Sequence, residues 1–184
     1  MKNKKIYITM SILSITFLLI MYILKIWFPE QFVIIINNEK LIKIGNYIDN
    51  NKLLYYICCS ITSFLTYFLY CCACCHKLYL KWYEYLFIIA TIIIVRVLSL
   101  FDLTLSTALQ FSSFIFLPAI MKGDLKSCAI VNTVHLLSQA FSLGIRGLPI
   151  YLDNTNFMTG LILTFDMYLW LLFMYVLFNF KKEN

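Results

Sequence analysis

Apolar stretches of about 20 residues follow one another along this chain, and each is apolar on all sides rather than on one face. A helix of that length spans the hydrocarbon core of a bilayer, whereas a helix of a soluble domain keeps one polar face. Hydrophobic residues make up 62% of the chain and charged residues 13%, which leaves too few polar side chains to cover a water-soluble domain. The sequence therefore predicts an all-α integral membrane protein.

Six stretches of this kind are separated by short polar segments, and we expect them to form a single transmembrane domain over residues 1–184. The largest polar segment is an extracytoplasmic insert at residues 29–52, and the tails are short, so no soluble catalytic domain fits. The predicted transmembrane helices cover residues 6–28, 53–75, 82–101, 103–121, 127–146 and 157–180.

Lysine and arginine concentrate on one predicted side of the membrane. The side that holds both termini has nine lysines against three acidic residues, whereas the side of the insert has five cations, among them Lys25, and five acidic residues. Because cytoplasmic loops are enriched in Lys and Arg, we expect both termini to be cytoplasmic and the chain to lie in the cell membrane. Anionic lipid attracts such cations, so the net charge of +6 needs no nucleic-acid partner.

Arg96 and Asp166 are the two charged side chains that this topology places inside apolar stretches. On insertion scales a charge at the centre of a bilayer costs about 2.5–3.5 kcal/mol, so each needs a partner, water or a ligand. Two interpretations are open. Either Arg96 and Asp166 pair with each other and hold helices together, or they help to bind a small polar or anionic solute.

Polar side chains on the fifth stretch recur every three or four residues, so they lie on one face of a helix. Counted from the outer helix ends, Arg96, Gln110 and Asp166 lie at similar depths. These features predict a polar pocket that opens outward. The predicted ligand-binding residues are Arg96, Gln110, Asn132, His135, Gln139, Arg146 and Asp166.

Catalysis is the weaker interpretation of this stripe. His135 with Asp166 as its orienting partner would form an acid–base pair, but the spacing does not require it. The chain contains no G-x-S-x-G, H-E-x-x-H, Walker or dinucleotide-binding motif. We accordingly assign no catalytic residue, no metal ligand and no cofactor.

The segment at 71–76, which reads CCACCH, holds four of the seven cysteines. In a helix Cys71, Cys74 and Cys75 share one face while Cys72 points away, so four thiolates cannot converge on a tetrahedral zinc ion. Packing as small apolar residues is the favoured interpretation. Lipid attachment near the membrane interface and metal or redox chemistry are the alternatives.

The insert at 29–52 contains two short apolar runs on either side of Asn37, Asn38 and Glu39, which form a turn signal. A β-hairpin or an interfacial amphipathic segment fits this pattern. The insert either covers the outer mouth of the bundle as a lid or simply anchors the chain at the membrane interface, and the second interpretation is favoured.

Six helices, cytoplasmic termini and an outward-facing polar cluster resemble the architecture of the substrate-binding subunits of energy-coupling-factor vitamin transporters. The alanine-rich first helix of that family is absent from residues 6–28. The resemblance implies a small-solute-binding or transport subunit that works with other membrane or ATPase subunits. The alternative is a non-enzymatic scaffold, regulatory or assembly protein whose intramembrane polar residues are structural.

Overall fold

The computed structural model describes residues 2–77, 79–145, 157–163 and 165–182, and all of the secondary structure in these ranges is α-helical. The prediction of an all-helical fold is confirmed. The helices are α1 (Lys2–Trp27), α2 (Pro29–Ile36), α3 (Glu39–Asn50), α4 (Lys52–Cys75), α5 (Trp82–Ser99), α6 (Leu103–Ile120), α7 (Leu125–Ile145), α8 (Phe157–Leu163) and α9 (Phe165–Lys182).

Two of these helices, α4 and α5, are long and apolar enough to cross a membrane, each with a mean hydropathy of 1.7. Shorter apolar helical segments lie in α1, α6, α7 and α9. The predicted bounds of 53–75 and 82–101 agree with α4 and α5 to within two residues. The predicted helix at 157–180 corresponds to α8 and α9, which lie on either side of residue 164, a position outside the described residues.

Helix α4 is the centre of the bundle. It packs against α5, α6, α7 and α9, while α1 packs along α9 and α5 packs along α6. The apolar core lies around the second half of α4, where Tyr67, Tyr70 and Cys71 belong to one cluster with Leu117 of α6 and Leu171 of α9. The polar residues of α4 are therefore placed between several other helices.

The helices bury polar side chains as well as apolar ones and expose many large apolar side chains. The buried polar residues include Lys25, Glu84, His135 and Asp166. Charged side chains are seldom fully buried in soluble proteins unless they are paired. The exposed large apolar side chains of α5 include Leu86, Phe87, Ile89, Ile93, Ile94 and Val97.

The insert is helical. Its described residues form α2 and α3 and contain no strand, so the β-hairpin interpretation is wrong. The turn signal caps a helix instead, because Asn38 is the N-cap of α3 and its side chain accepts a hydrogen bond from Lys40 N at 3.0 Å. Helix α3 buries Gly45 and Ile48 and packs against α4 and α8.

The end of α4 is joined to the start of α7. His76 ends α4 in the left-handed region with a φ of 51°, and Lys77 N donates to Cys72 O at 3.0 Å, as in a Schellman ending. Asp124 N, in the loop before α7, donates to Cys74 O at 3.0 Å. These backbone bonds satisfy carbonyl groups that the helix itself leaves without a donor.

Candidate functional site

A cavity of about 210 Å³ lies between α4, α6, α7 and α9. A water molecule takes up about 30 Å³ in the liquid, so this volume has room for about seven waters or one small solute. The lining residues are Thr62, Ser63, Thr66 and Tyr67 of α4, Gln110, Phe111 and Phe114 of α6, His135 of α7, and Met167 and Tyr168 of α9.

The imidazole of His135 lines this cavity and is 2% exposed. The ring packs against Phe114, with centroids 4.9 Å apart, and edge-on against Tyr70 at 6.3 Å. Neither ring nitrogen has a hydrogen-bond partner among the described residues. Because a buried polar group without a partner costs about 1–3 kcal/mol, the position favours a molecule in the cavity that bonds to the ring.

Hydroxyl groups of Thr66 and Tyr67 supply further hydrogen-bonding positions on the α4 wall. Tyr67 Oη lies 2.6 Å from Ser113 Oγ and donates to the Gln110 carbonyl oxygen at 3.4 Å. Thr66 Oγ1 donates to Thr62 O at 2.9 Å. A hydroxyl that donates still has lone pairs, so these oxygens can accept hydrogen bonds from a solute.

Arg96 lies on α5 and contacts α4 rather than Asp166. Its Nη2 donates to Cys59 O at 3.0 Å and to Ser63 Oγ at 2.9 Å. The interpretation in which Arg96 and Asp166 pair with each other, one of the two left open by the sequence, is therefore wrong. Ser63 lines the cavity, so Arg96 positions one wall residue without lining the cavity itself.

Asp166 forms a buried ion pair with Lys25. Lys25 Nζ lies 3.2 Å from Asp166 Oδ1, and the two side chains are 2% and 0% exposed. The ammonium group also lies 5.7 Å from the ring centre of Phe32 in α2. A hydrogen bond from Trp170 Nε1 to Tyr22 Oη, at 2.6 Å, also joins α9 to α1. The charge count places Lys25 on the side of the insert, and it does not identify Asp166 as its partner. The packing of α1 on α9 brings the two side chains together.

The structure brings two of the seven predicted ligand-binding residues together, since Gln110 and His135 both line the cavity. Asn132 is half-buried on α7 and does not line it. The side chain of Gln139 and the whole of Arg146 lie outside the described residues. The remaining two predicted residues, Arg96 and Asp166, form the contacts described above and do not line the cavity. The described lining residues include no Lys, Arg, Asp or Glu.

Four lining residues of α4 are absent from the set predicted from the sequence, namely Thr62, Ser63, Thr66 and Tyr67. They recur at positions one and four apart, which places them on one helical face. This spacing is visible in the sequence. Ser and Thr hydroxyls in a helix commonly bond to the preceding turn, however, so the stripe by itself does not indicate a site.

A second cavity, of about 570 Å³, lies where α4 ends and α7 begins. The Ser127 hydroxyl and backbone N–H donate to Asp124 Oδ2 at 2.7 and 2.8 Å and lower the pKa of that carboxyl. His76 Nε2 lies 2.7 Å from Ser127 Oγ. Because this hydroxyl donates to the carboxylate, it is not arranged as a nucleophile that His76 deprotonates. The three residues cap α7 and join it to α4.

Three cysteines of the 71–76 segment are wholly buried, namely Cys71, Cys72 and Cys74. Cys72 lies on a different face of α4 from the other two and is buried as well, because other helices surround α4. Cys75 is half-buried and lines the second cavity. Among the described residues, no group of three His, Cys, Asp or Glu side chains is placed to hold a metal ion.

No protein-family model, curated protein or solved structure matches the chain. The fold and the site define an all-helical protein with two candidate membrane-spanning helices and a polar cavity among the helices around α4.

Proposed function

We propose that this chain is a multi-pass membrane protein that binds a small polar solute in the cavity around His135. In this proposal α1, α4, α5, α6, α7 and the α8–α9 segment cross the cell membrane, and both termini are cytoplasmic. The exposed apolar side chains of α5 and the buried polar side chains of the interior support the placement in a bilayer. The excess of Lys and Arg on the side of the termini supports the orientation.

His135 is the observation that carries the proposal. A neutral imidazole has one donor and one acceptor nitrogen, and neither has a partner among the described residues. The cavity beside it also offers the hydroxyls of Thr66 and Tyr67 and the amide-bearing residue Gln110. Phe111 and Phe114 contribute apolar surface. The wall thus combines polar and apolar groups in comparable amounts, and convergent polar groups in a cavity are typical of sites for small molecules.

The size and charge of the cavity define the class of solute. A volume of about 210 Å³ is smaller than a drug-sized pocket and suits a solute on the order of seven to ten non-hydrogen atoms. The described lining residues have no permanent charge, so they favour a neutral solute with hydroxyl or amide groups over an anion. The sequence predicts a polar or anionic solute, and the cavity narrows this class to neutral polar solutes.

The chain would act together with other subunits. It has no nucleotide-binding motif of its own, so net transport of the solute would be driven by a partner such as an ATPase subunit. The proposed role is therefore capture of the solute within the membrane and its transfer to such a complex.

A non-enzymatic scaffold is the second candidate, and the buried ion pair favours it. Lys25 and Asp166 neutralise each other, and Arg96 donates to α4, so each contact joins two helices. In this alternative the intramembrane charges assemble the bundle and have no ligand.

Native mass spectrometry of protein purified gently from its own host tests the proposal. We expect the wild type to retain a small molecule that His135→Phe loses, because phenylalanine keeps the aromatic packing but removes both ring nitrogens. Ser106→Ala is the matched control, since Ser106 is buried outside the cavity and donates to Val95 O at 2.9 Å. Equal retention by His135→Phe and wild type would overturn the solute site, and bare wild-type protein would favour the scaffold.

A further inference from the structure

An apolar groove of about 500 Å³ runs between α4 and α5 and is separate from the solute cavity. Its α5 wall extends from Ile89 to Val97, and these eight steps correspond to about 12 Å of helix. One leaflet of the hydrocarbon core is about 15 Å thick. The groove therefore has the length of most of one leaflet.

The groove is open to the outside of the bundle. Ile57, Ile61, Ile93 and Val97 line it and are each between 46% and 56% exposed. In a bilayer, surface of this kind is covered by lipid acyl chains rather than by water-soluble molecules. The apolar surface of the groove therefore fits a lipid acyl chain.

Arg96 lies near one end of the groove and has no acidic partner. Its Nη2 donates to Cys59 O and Ser63 Oγ, which are both uncharged. Its Nε is buried and has no hydrogen-bond partner among the described residues, and none of the ion pairs of the described residues involves Arg96. Arg96 therefore places a positive charge beside apolar surface, and it has no ion-pair partner among the described residues.

We propose that the α4–α5 groove binds an anionic phospholipid, with one acyl chain along the groove and the lipid phosphate at Arg96. Guanidinium groups bind phosphate through their N–H donors and their delocalised positive charge. A lipid with net negative charge also neutralises the guanidinium, which a zwitterionic lipid does not. The inference rests on the proposed membrane placement of α4 and α5 but not on the solute cavity.

The test uses the full chain in vesicles of equal parts phosphatidylglycerol and phosphatidylcholine. Flotation first shows whether the protein enters the bilayer, and failure at this step overturns the membrane placement itself. Native mass spectrometry then counts the lipids retained after gentle extraction. We expect the retained ratio of phosphatidylglycerol to phosphatidylcholine to exceed the vesicle ratio about fivefold. Retention in the vesicle ratio overturns the proposal.

Two variants, with one control, test the contributions of the Arg96 charge and of the groove separately. Arg96→Gln is expected to abolish the enrichment, whereas Lys52→Gln, which removes an exposed positive charge at the start of α4, is expected to keep it. Ile93→Trp fills the groove without changing Arg96 and is expected to lose the retained lipid. Wild-type enrichment in Arg96→Gln or in Ile93→Trp overturns the proposal, and the second variant decides if the first does not fold.

His135→Phe distinguishes this inference from the solute proposal. We expect it to retain phosphatidylglycerol with the wild-type ratio while it loses the solute. A wild type that enriches the anionic lipid but binds no solute overturns the solute proposal alone. A wild type that binds a solute but retains both lipids in the vesicle ratio overturns the lipid proposal alone.

Discussion

Replacing Asp166 by leucine while Lys25 stays in place leaves an ammonium group buried without its carboxylate. The two charges lie 3.2 Å apart and attract by about 5 kcal/mol at an effective dielectric constant of about 20. This attraction offsets only part of the desolvation cost, which is several kcal/mol for each of the two ions. Because the side chains are 2% and 0% exposed, water cannot take the place of the missing partner. We expect Asp166→Leu and Lys25→Met each to lower the free energy of unfolding by about 3–5 kcal/mol.

The double variant Lys25→Met with Asp166→Leu removes both charges and keeps apolar side chains of similar size. Replacing a buried ion pair in this way is often neutral or stabilising by about 1–4 kcal/mol. We therefore expect the double variant to be at least as stable as the wild type. The coupling energy between the two positions would then be at least about 6 kcal/mol, the sum of the two single-variant losses.

Unfolding in mixed detergent micelles, followed by far-ultraviolet circular dichroism during titration with sodium dodecyl sulfate, measures these free energies. Lys40→Met, at an exposed position of α3, controls for the loss of a lysine. A double variant destabilised by the sum of the two single variants would refute the ion pair. A larger coupling of Asp166 to Arg96 than to Lys25, in the corresponding cycle with Arg96→Met, would show that the carboxylate has a different partner.

Three further measurements follow from the structure. In the same titration, and with no solute bound, His135→Phe is expected to raise the free energy of unfolding by about 1–2 kcal/mol. The reason is that it removes buried polar atoms that have no partner among the described residues. A loss of stability would indicate that the ring nitrogens have a partner. Glu84→Ala is expected to lower the free energy of unfolding by about 3 kcal/mol. Glu84 is 2% exposed, pairs with Lys77 and accepts a hydrogen bond from Lys81 N at 2.8 Å. An unchanged free energy of unfolding in the titration would contradict this. The lowered pKa of Asp124 means that its carboxylate contributes stability above the ordinary pKa of 3.8 and loses it as the pH falls through the folded-state pKa. Asp124→Asn should therefore remove that part of the stability loss at acidic pH, which thermal melts between pH 3 and 7 would detect, and an identical pH profile would exclude the effect.

The sequence by itself determined the helical class and the positions of the main helices. A bilayer requires every backbone polar group to be satisfied within the chain segment, so a run of about 20 apolar residues is a local signal for a helix. The predicted bounds of α4 and α5 agree with the structure to within two residues. His135 and Gln110 also stand out locally, because each is a polar residue in an apolar stretch.

Only the tertiary structure decided which side chains meet. Depth along each helix can be counted from the sequence, and by that count Arg96 and Asp166 lie at similar depth, which leaves open whether they pair. The packing of α1 on α9 instead brings Lys25 to Asp166, and the packing of α4 on α5 brings Arg96 to Ser63. Helical periodicity places residues on a face, but it contains no information about which helix that face contacts. The order of helices around α4 depends on how side chains from distant parts of the chain fit together, and that fit exists only in the folded bundle.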